Sequence, residues 1–278
     1  MSYDFFGLDD FLLAALHEDI GTGDVTTNSC IPEETVSEGT FIAKESGVIC
    51  GLGVVAHLYK LLDENVRITP FVNDGSFVVP GDVIARISGP ARSILTGERT
   101  ALNLLQRMCG IATKTAEAVH TVSGTGVDIV DTRKTAPGMR ALDKYAVRCG
   151  GGTNHRFNLA GGILIKDNHI TAAGGIKKAV SLAQFGCPHT LKIEVETETL
   201  EQVEEALDAG ADIIMLDNMT PAMITQAVKL INGRALIEAS GNMGERDLNT
   251  VAETGVDFIS IGALTNSVKA MDISLRFR

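Results

Sequence analysis

The chain has 278 residues and a mass of 29.5 kDa, room for one barrel-sized domain or for a barrel with a small companion. With 21% charged and 45% hydrophobic residues it is not a disordered, collagen-like or low-complexity protein. A formal net charge of −11 argues against a general nucleic-acid binder and against a polybasic membrane-surface protein.

No Lys or Arg precedes Lys44, so the charged start of a secretory signal and the Arg-rich face of a transit peptide are both missing, and the cytoplasm is the expected location. The longer apolar runs, such as Phe11 to Leu16, fall short of the roughly 18–20 residues that a membrane-spanning helix needs. Leu8 to Asp19 reads as a helix ending near Gly21-Thr22-Gly23, and Phe41 to Cys50, Val66 to Val72 and Val83 to Ile87 read as strands broken at Gly and Pro. Asp74 to Asp82 is a turn–strand–turn signal like that of swivelling carrier domains, but no lysine stands at its tip to bear biotin or lipoate. Ser93 to Met108 is a long helix with Leu95, Leu102 and Leu105 on its apolar face. The five cysteines (Cys30, Cys50, Cys109, Cys149 and Cys187) are odd in number and lack a CxxC, which points to reduced thiols rather than disulfides or a zinc site.

From Val127 onward a repeat emerges. Short apolar strands run into polar residues at Val127 to Lys134, Ile163 to Asp167, Leu191 to Glu196, Ile213 to Asp217, Ala235 to Ser240 and Phe258 to Gly262. The later ones start about 20 to 30 residues apart, with helical patterns such as Leu200 to Ala209 between them, which is the spacing of βα units. Parallel strands buried on both faces read as continuous Val/Ile/Leu runs. Polar residues close nearly every strand, as they do where barrel enzymes assemble their active sites, so the expected fold is a parallel α/β barrel rather than a doubly wound sheet.

Between Asp131 and Lys166, seven basic side chains (Arg133, Lys134, Arg140, Lys144, Arg148, Arg156 and Lys166) face two acidic ones (Asp131 and Asp143), a net of +5 within a strongly acidic chain. Arg140, Lys144 and Arg148 lie four apart and read as the solvated side of a helix. Arg133, Lys134 and Lys166 close apolar strands instead, and on a barrel they converge on its mouth as a site for a small polyanion, with His155 a further potential cation. Glu194 and Asp217 end the next two strands, and Glu196 shares a face with Glu194. Two accounts of these carboxylates stay open: they hold Mg²⁺ shared with a phosphorylated substrate, or they form ion pairs with Lys166 or Arg133. Ser240-Gly241-Asn242 and Gly262-Ala263 follow the last strands, where glycine loops present backbone N–H groups to a phosphate. His17, His57, His120 and His189 have no partner pattern and read as structural, and no GxGxxG, P-loop, HExxH or GxSxG occurs. The residues alone thus describe an α/β-barrel enzyme acting with Mg²⁺ on an anionic, phosphorylated small molecule.

Four stretches carry a family resemblance: Asp131-Thr-Arg-Lys-Thr-Ala-Pro-Gly-Met-Arg140, Lys144-Tyr-Ala-Val147, Gly150-Gly-Gly-Thr-Asn-His-Arg156 and Ile165-Lys-Asp-Asn-His169. They resemble quinolinate phosphoribosyltransferases (nicotinate-nucleotide pyrophosphorylases, carboxylating). The likeness extends to His17 through Thr26, Gly97 through Asn103, Gly110 through Thr113, Leu216-Asp-Asn218, Ser240-Gly241 and Gly262-Ala-Leu-Thr265, and so covers nearly the whole chain. It implies a small amino-terminal α/β sandwich domain over residues 1–110 and an incomplete, seven-stranded α/β barrel of the type II phosphoribosyltransferase kind over 111–278, the last residues free to pack back on the first domain. It also implies a homodimer with a shared active site, or a larger assembly built on it. The reaction it implies joins quinolinate and phosphoribosyl pyrophosphate (PRPP), with Mg²⁺, to give nicotinate mononucleotide, CO₂ and pyrophosphate.

Carried over by position, Arg133, His155 and Arg156 hold the quinolinate carboxylates, with Arg99 reaching in from the partner subunit. Lys134 and Lys166 contact PRPP, with Lys166 near the reacting centre. Glu194 and Asp217 serve the ribose hydroxyls and Mg²⁺, and Ser240, Gly241, Gly262 and Ala263 cradle the 5′-phosphate. Two positions depart from the family pattern: Gly161 lacks an acidic side chain, and Asn266 stands where relatives often carry histidine. The competing accounts are a relative of the same fold from molybdate-transport loci, a nicotinate-specific phosphoribosyltransferase and a non-catalytic phosphosugar-binding barrel. The intact Ile165-Lys-Asp-Asn-His169, the dense Arg/His set and the joint presence of Lys134, Lys166, Glu194 and Asp217 argue against them in turn.

Overall fold

The computed structural model describes residues 7–277. In chain order the elements are α1 (Asp9–Ile20), α2 (Val25–Cys30), β1 (Val36–Ala43), β2 (Gly47–Val48), α3 (Leu52–Leu62), β3 (Arg67–Pro70), β4 (Phe77–Val78), β5 (Val83–Pro90), α4 (Ala91–Thr121), β6 (Asp128–Val130) and α5 (Arg140–Cys149). There follow β7 (Ile163–Ile165), α6 (Asp167–Ala173), α7 (Ile176–Gly186), β8 (Ile193–Thr197), α8 (Leu200–Asp208), β9 (Ile213–Asp217), α9 (Pro221–Ile231), β10 (Leu236–Ser240), α10 (Leu248–Ala252), β11 (Phe258–Ser260), α11 (Ala263–Asn266) and β12 (Ile273–Phe277). They group into two compact units that interleave along the chain. One holds the chain up to Ala116 with Pro137–Gly151 and Val268 onward; the other holds Glu117–Ala136 and Gly152–Ser267.

The first unit is built on a four-stranded antiparallel sheet in the order β12-β1-β5-β3, with a separate two-stranded β2-β4 pair. The expected strand from Phe41 to Cys50 is two strands, because the chain bends at Lys44–Glu45. Phe41, Ile84 and Ile87 on the sheet and Leu12, Leu58 and Tyr59 on the helices are fully buried, each such side chain stabilising by about 1.5–3 kcal/mol relative to exposure. The buried Tyr59 hydroxyl donates to the Ile94 carbonyl at 3.0 Å, so its polar end is satisfied. Helix α4 is longer than its apolar stripe predicts, beginning at Ala91 and running 31 residues to Thr121.

The second unit carries six parallel strands in the order β6-β11-β10-β9-β8-β7. A seventh position beside β6 is filled by Thr153 alone, which pairs with Val130 as a single parallel bridge. Helices between the strands turn buried aliphatic stripes inward: Val203 and Ala206 on α8, and Ile224, Ala227 and Ile231 on α9. Thr199 and Thr220 cap these helices by accepting from the N–H of Gln202 and Met223. Because the strands are parallel, their carboxyl ends and the polar residues that follow them gather at one end of the sheet.

Candidate active site

Asp131 directly follows β6, and it is fully buried. Its Oδ1 accepts the backbone N–H of His155 at 2.9 Å and its Oδ2 accepts the side-chain amide of Asn154 at 2.7 Å. One strand end thereby clamps the segment that delivers the imidazole. The Nδ1 of His155 accepts the backbone N–H of Arg156 at 2.7 Å, which leaves the ring proton on Nε2. That nitrogen lies 3.1 Å from Glu194 Oε2 and 3.7 Å from Glu238 Oε2. Two buried carboxylates thus face one imidazole. Their outer oxygens, Oε1 of each, have no hydrogen-bond partner among the described residues. Burial first, and the charge of Glu194 second, push the Glu238 carboxyl up to about 7, against the pull of His155.

The cations ring the mouth above this cluster. A cavity of about 310 Å³ is lined by Arg133, Lys134, His155, Arg156, Lys166 and Ser240, with Thr132, Ser260 and Glu238. Arg156 donates to the Gly162 carbonyl at 2.9 Å, and burial together with nearby Arg133 lowers its pKa. Lys166 pairs with Glu196. The backbone N–H of Lys166 donates to His169 Nδ1 at 3.0 Å, which fixes the start of α6. The Thr265 hydroxyl donates to the Lys134 carbonyl at 2.9 Å, and a Cβ on Gly262 would lie 3.0 Å from Lys134 Cδ, so the loop after β11 rests on that lysine. Gly241 has φ +96°, and a Cβ there would stand 2.7 Å from the backbone nitrogen of Asn218. Gly244 approaches Ala263 as closely, so the two glycine loops lie side by side. A second cavity of about 380 Å³ opens toward the strand starts and shares His155, Arg156 and Glu238 with the first. Gly161 lines it, and a Cβ there would lie 3.4 Å or more from its neighbours.

The structure brings together Arg133, Lys134, His155, Arg156, Lys166 and Ser240, with Gly262 against Lys134. It does not bring the predicted metal pair together. Glu194 is in register with Ile213, so Asp217 lies four residues further along β9, roughly 13 Å away at about 3.3 Å per residue, too far for both carboxylates to share one ion. Glu196 is in register with Met215, only two residues short of Asp217, and is the carboxylate nearer the mouth. Asp217 is turned by Asn218, whose amide donates to Oδ2 at 2.7 Å. Lys144 also corrects the sequence expectation: it is 3% exposed, not on a solvated face. Arg99 is exposed on α4 of the first unit. Asn266 accepts from the Ser267 hydroxyl at 2.7 Å. Sequence inspection passed over Glu238 and treated Asp131 only as a charge. The period-2 alternation of β10, which puts Glu238 on the same face as Ser240, was the available signal.

A parallel α/β barrel whose cationic mouth is backed by buried carboxylates and two glycine loops defines an enzyme for a small, multiply anionic, phosphorylated substrate. Comparison with known proteins narrows the class to a family. Residues 24–109 match the quinolinate phosphoribosyl transferase N-terminal domain and residues 111–276 match its C-terminal domain. The chain is 48% identical over 258 residues to a probable nicotinate-nucleotide pyrophosphorylase [carboxylating] of Bacillus subtilis, covering 93% of this chain and 89% of that protein. It is 43% identical over 293 residues to a mitochondrial quinolinate phosphoribosyltransferase [decarboxylating] of Nicotiana tabacum, covering 98% and 82%. The crystal structure of NadC from Streptococcus pyogenes superposes with a TM-score of 0.93 at 42% identity, over 100% of this chain and 99% of that one. The chain belongs to the quinolinate phosphoribosyltransferase family.

Proposed function

We propose that this site transfers the phosphoribosyl group of PRPP to the ring nitrogen of quinolinate, with loss of the adjacent carboxylate as CO₂, giving nicotinate mononucleotide and pyrophosphate. The observation that carries this is the cavity of about 310 Å³ in which Arg133, His155 and Arg156 meet Lys134 and Lys166, enough cationic donors for a dicarboxylate beside a pyrophosphate. Arg133, His155 and Arg156 hold the two carboxylates and so present the ring nitrogen to the ribose carbon. As pyrophosphate leaves, the ribose carbon gains positive character, which the carboxylates of this wall stabilise while Lys134 and Lys166 meet the leaving-group charge. The new pyridinium charge then stabilises the electron pair left on the ring carbon as the C–C bond to CO₂ breaks, and a proton from water forms the C–H bond of the product. Positioning and electrostatics are the protein's share of the work.

The reading includes Mg²⁺. Thr132 and Ser240 line the mouth, Asp217 is in register with Ser240 and Glu196 with Met215, and this oxygen set suits a hard cation that keeps water and phosphate oxygens in its shell, which Glu196 and Asp217 would hold. When bound, the ion neutralises pyrophosphate charge. The reading also includes a homodimer, with Arg99 supplied to the neighbouring site, and a cytoplasmic location. Among the described residues no helix is long and apolar enough to cross a membrane.

The test offers quinolinate and nicotinate in parallel to purified protein with PRPP and Mg²⁺. Nicotinate mononucleotide and CO₂ from quinolinate alone is the expected result. Product from nicotinate instead would mean that the second-carboxylate contacts are misassigned, and no product from either would defeat the reading.

A further inference from the structure

The first unit holds a cluster that the phosphoribosyl site does not use. Three of the five cysteines meet where the start of α3, the loop at Asp74 and the end of α5 come together. Cys109 is committed: its Sγ accepts the Cys50 N–H at 3.2 Å and its thiol donates to the Cys50 carbonyl at 3.4 Å. The other two differ. The ligand atoms of Cys50, Cys149 and Asp74 all lie within 4.8 Å of one another, with Cys50 fully buried and Cys149 partly exposed. The Tyr145 hydroxyl, one turn before Cys149 on α5, donates to Asp74 Oδ2 at 2.8 Å.

This grouping resembles a metal site, but Asp74 is already spent. Its two oxygens accept the N–H groups of Gly51 and Leu52 at 3.0 and 3.2 Å, capping α3, and one also takes the tyrosine proton. Two thiols remain, short of the four ligands a structural zinc site takes. The end of α5 is held firmly: a Cβ on Gly150 would run into the Ala112 carbonyl and stand 2.7 Å from Thr115 Cβ, so α5 is packed on α4 with no side chain between them. The two sulfurs are therefore kept side by side by the core.

We propose that Cys149 and Cys50 form a peroxide-reactive thiol pair, with Cys149 the attacking sulfur and Cys50 the resolving one. The Cys149 sulfur attacks the O–O bond of a hydroperoxide. That bond breaks, the distal oxygen becomes the sulfenic acid of Cys149, and the rest leaves with a proton as alcohol or water. The Cys50 sulfur then attacks the Cys149 sulfur, an S–S bond forms, the S–O bond breaks, and hydroxide departs with the Cys50 proton as water. Two electrons pass from the two thiols to the peroxide, and a thiol reductant reverses the change. The division of roles follows from the surroundings. A hydrogen bond from Cys50 holds the Cys149 thiol below its ordinary range, against its own partial burial and the nearby Asp74 charge, while burial pushes Cys50 well above it. Exposed Cys30 has none of these neighbours among the contacts described and serves as the internal comparison.

The intact protein is treated with hydrogen peroxide, quenched, and mapped by mass spectrometry without reduction. The expected result is a peptide linking Cys50 to Cys149 that disappears on treatment with dithiothreitol, formed about tenfold faster than Cys30 is oxidised. Cys50→Ala is expected to leave a sulfenic acid on Cys149 that dimedone traps, and Cys149→Ser to give no link. The wild-type map stands on its own if the buried Cys50→Ala change impairs folding. Oxidation of Cys30 ahead of Cys149, a Cys109 link in place of the Cys50 one, or stoichiometric zinc that leaves with Cys149→Ser would each overturn the proposal. None of these readouts depends on transferase activity, so the outcome is separate from that of the function proposed above.

Discussion

Glu238 is a site side chain whose chemistry is strongly altered by its place. It is 3% exposed, bonded within a pair of carboxyls, and its ordinary value of 4.5 rises to about 7 because burial and Glu194 both oppose its charge. The folded chain therefore binds this proton more tightly than the unfolded chain does. The stabilisation is present in full below about 4.5 and is lost as pH rises through about 7. Wild-type stability relative to Glu238→Gln is expected to fall by on the order of 2 kcal/mol between about pH 5 and about pH 8, read from urea midpoints. A difference that stays flat with pH would mean that the carboxyl is ionised throughout. Gly241 makes a second test at this scale, since its φ of +96° and its contact with Asn218 leave no room for a methyl group. Gly241→Ala is expected to destabilise by about 1–3 kcal/mol and to raise the KM for PRPP by about tenfold. Gly262→Ala should be milder, because the atom it meets is a movable lysine methylene. The cationic half of the site was legible in the sequence because Arg133, Lys134 and Lys166 each close an apolar run. Glu238 was not, because a carboxylate inside a strand looks the same whether it points to solvent or into a barrel.

Register decides matters among the elements. Glu194 and Glu196 share the inner face of β8, and sequence alone cannot say which of them lies at the height of the mouth. Pairing with β9 settles it: Glu194 stands beside Ile213 at the strand start and Glu196 beside Met215. On the proposed Mg²⁺ role, Glu196→Gln is therefore expected to raise the Mg²⁺ concentration needed for half-maximal rate by about tenfold, since it removes one of the two carboxylates that would hold the ion. Glu194→Gln is expected to leave that midpoint unchanged while lowering turnover, because it loosens His155. A titration of rate against Mg²⁺ for both variants separates the two, and equal shifts would contradict the register argument. The barrel strands were legible because each is a Val/Ile/Leu run closed by polar residues. Helix α3 was not: its apolar stretch has no capping side chain before it, since Gly51 occupies that place and the cap comes from Asp74 across the fold. Nor was the burial of Lys144, which i,i+4 spacing alone had assigned to solvent.

For the whole molecule the open matter is whether one chain makes one complete site. The mouth cations Arg133, Lys134, His155, Arg156 and Lys166 and the glycine loops belong to the second unit, whereas Arg99 is exposed on α4 of the first. If Arg99 acts on the neighbouring subunit, a homodimer of Arg99→Ala chains has two sites without that guanidinium, and a homodimer of Lys166→Ala chains has two without that amine. Both are expected to lose turnover by about 10²–10³-fold. In a mixed dimer the two defects fall together in one site and the other site is whole. Random reassembly of equal amounts makes half of the dimers mixed, each with one working site, so about a quarter of wild-type activity should return. If Arg99 instead served its own chain, every site in the mixture would carry one defect and nothing would return. Measuring activity against the mixing ratio distinguishes the two, because complementation peaks at equal amounts and vanishes at either end. A flat line at the level of the parents, in dimers shown to be mixed, would assign Arg99 to its own chain and remove the shared site from the proposal.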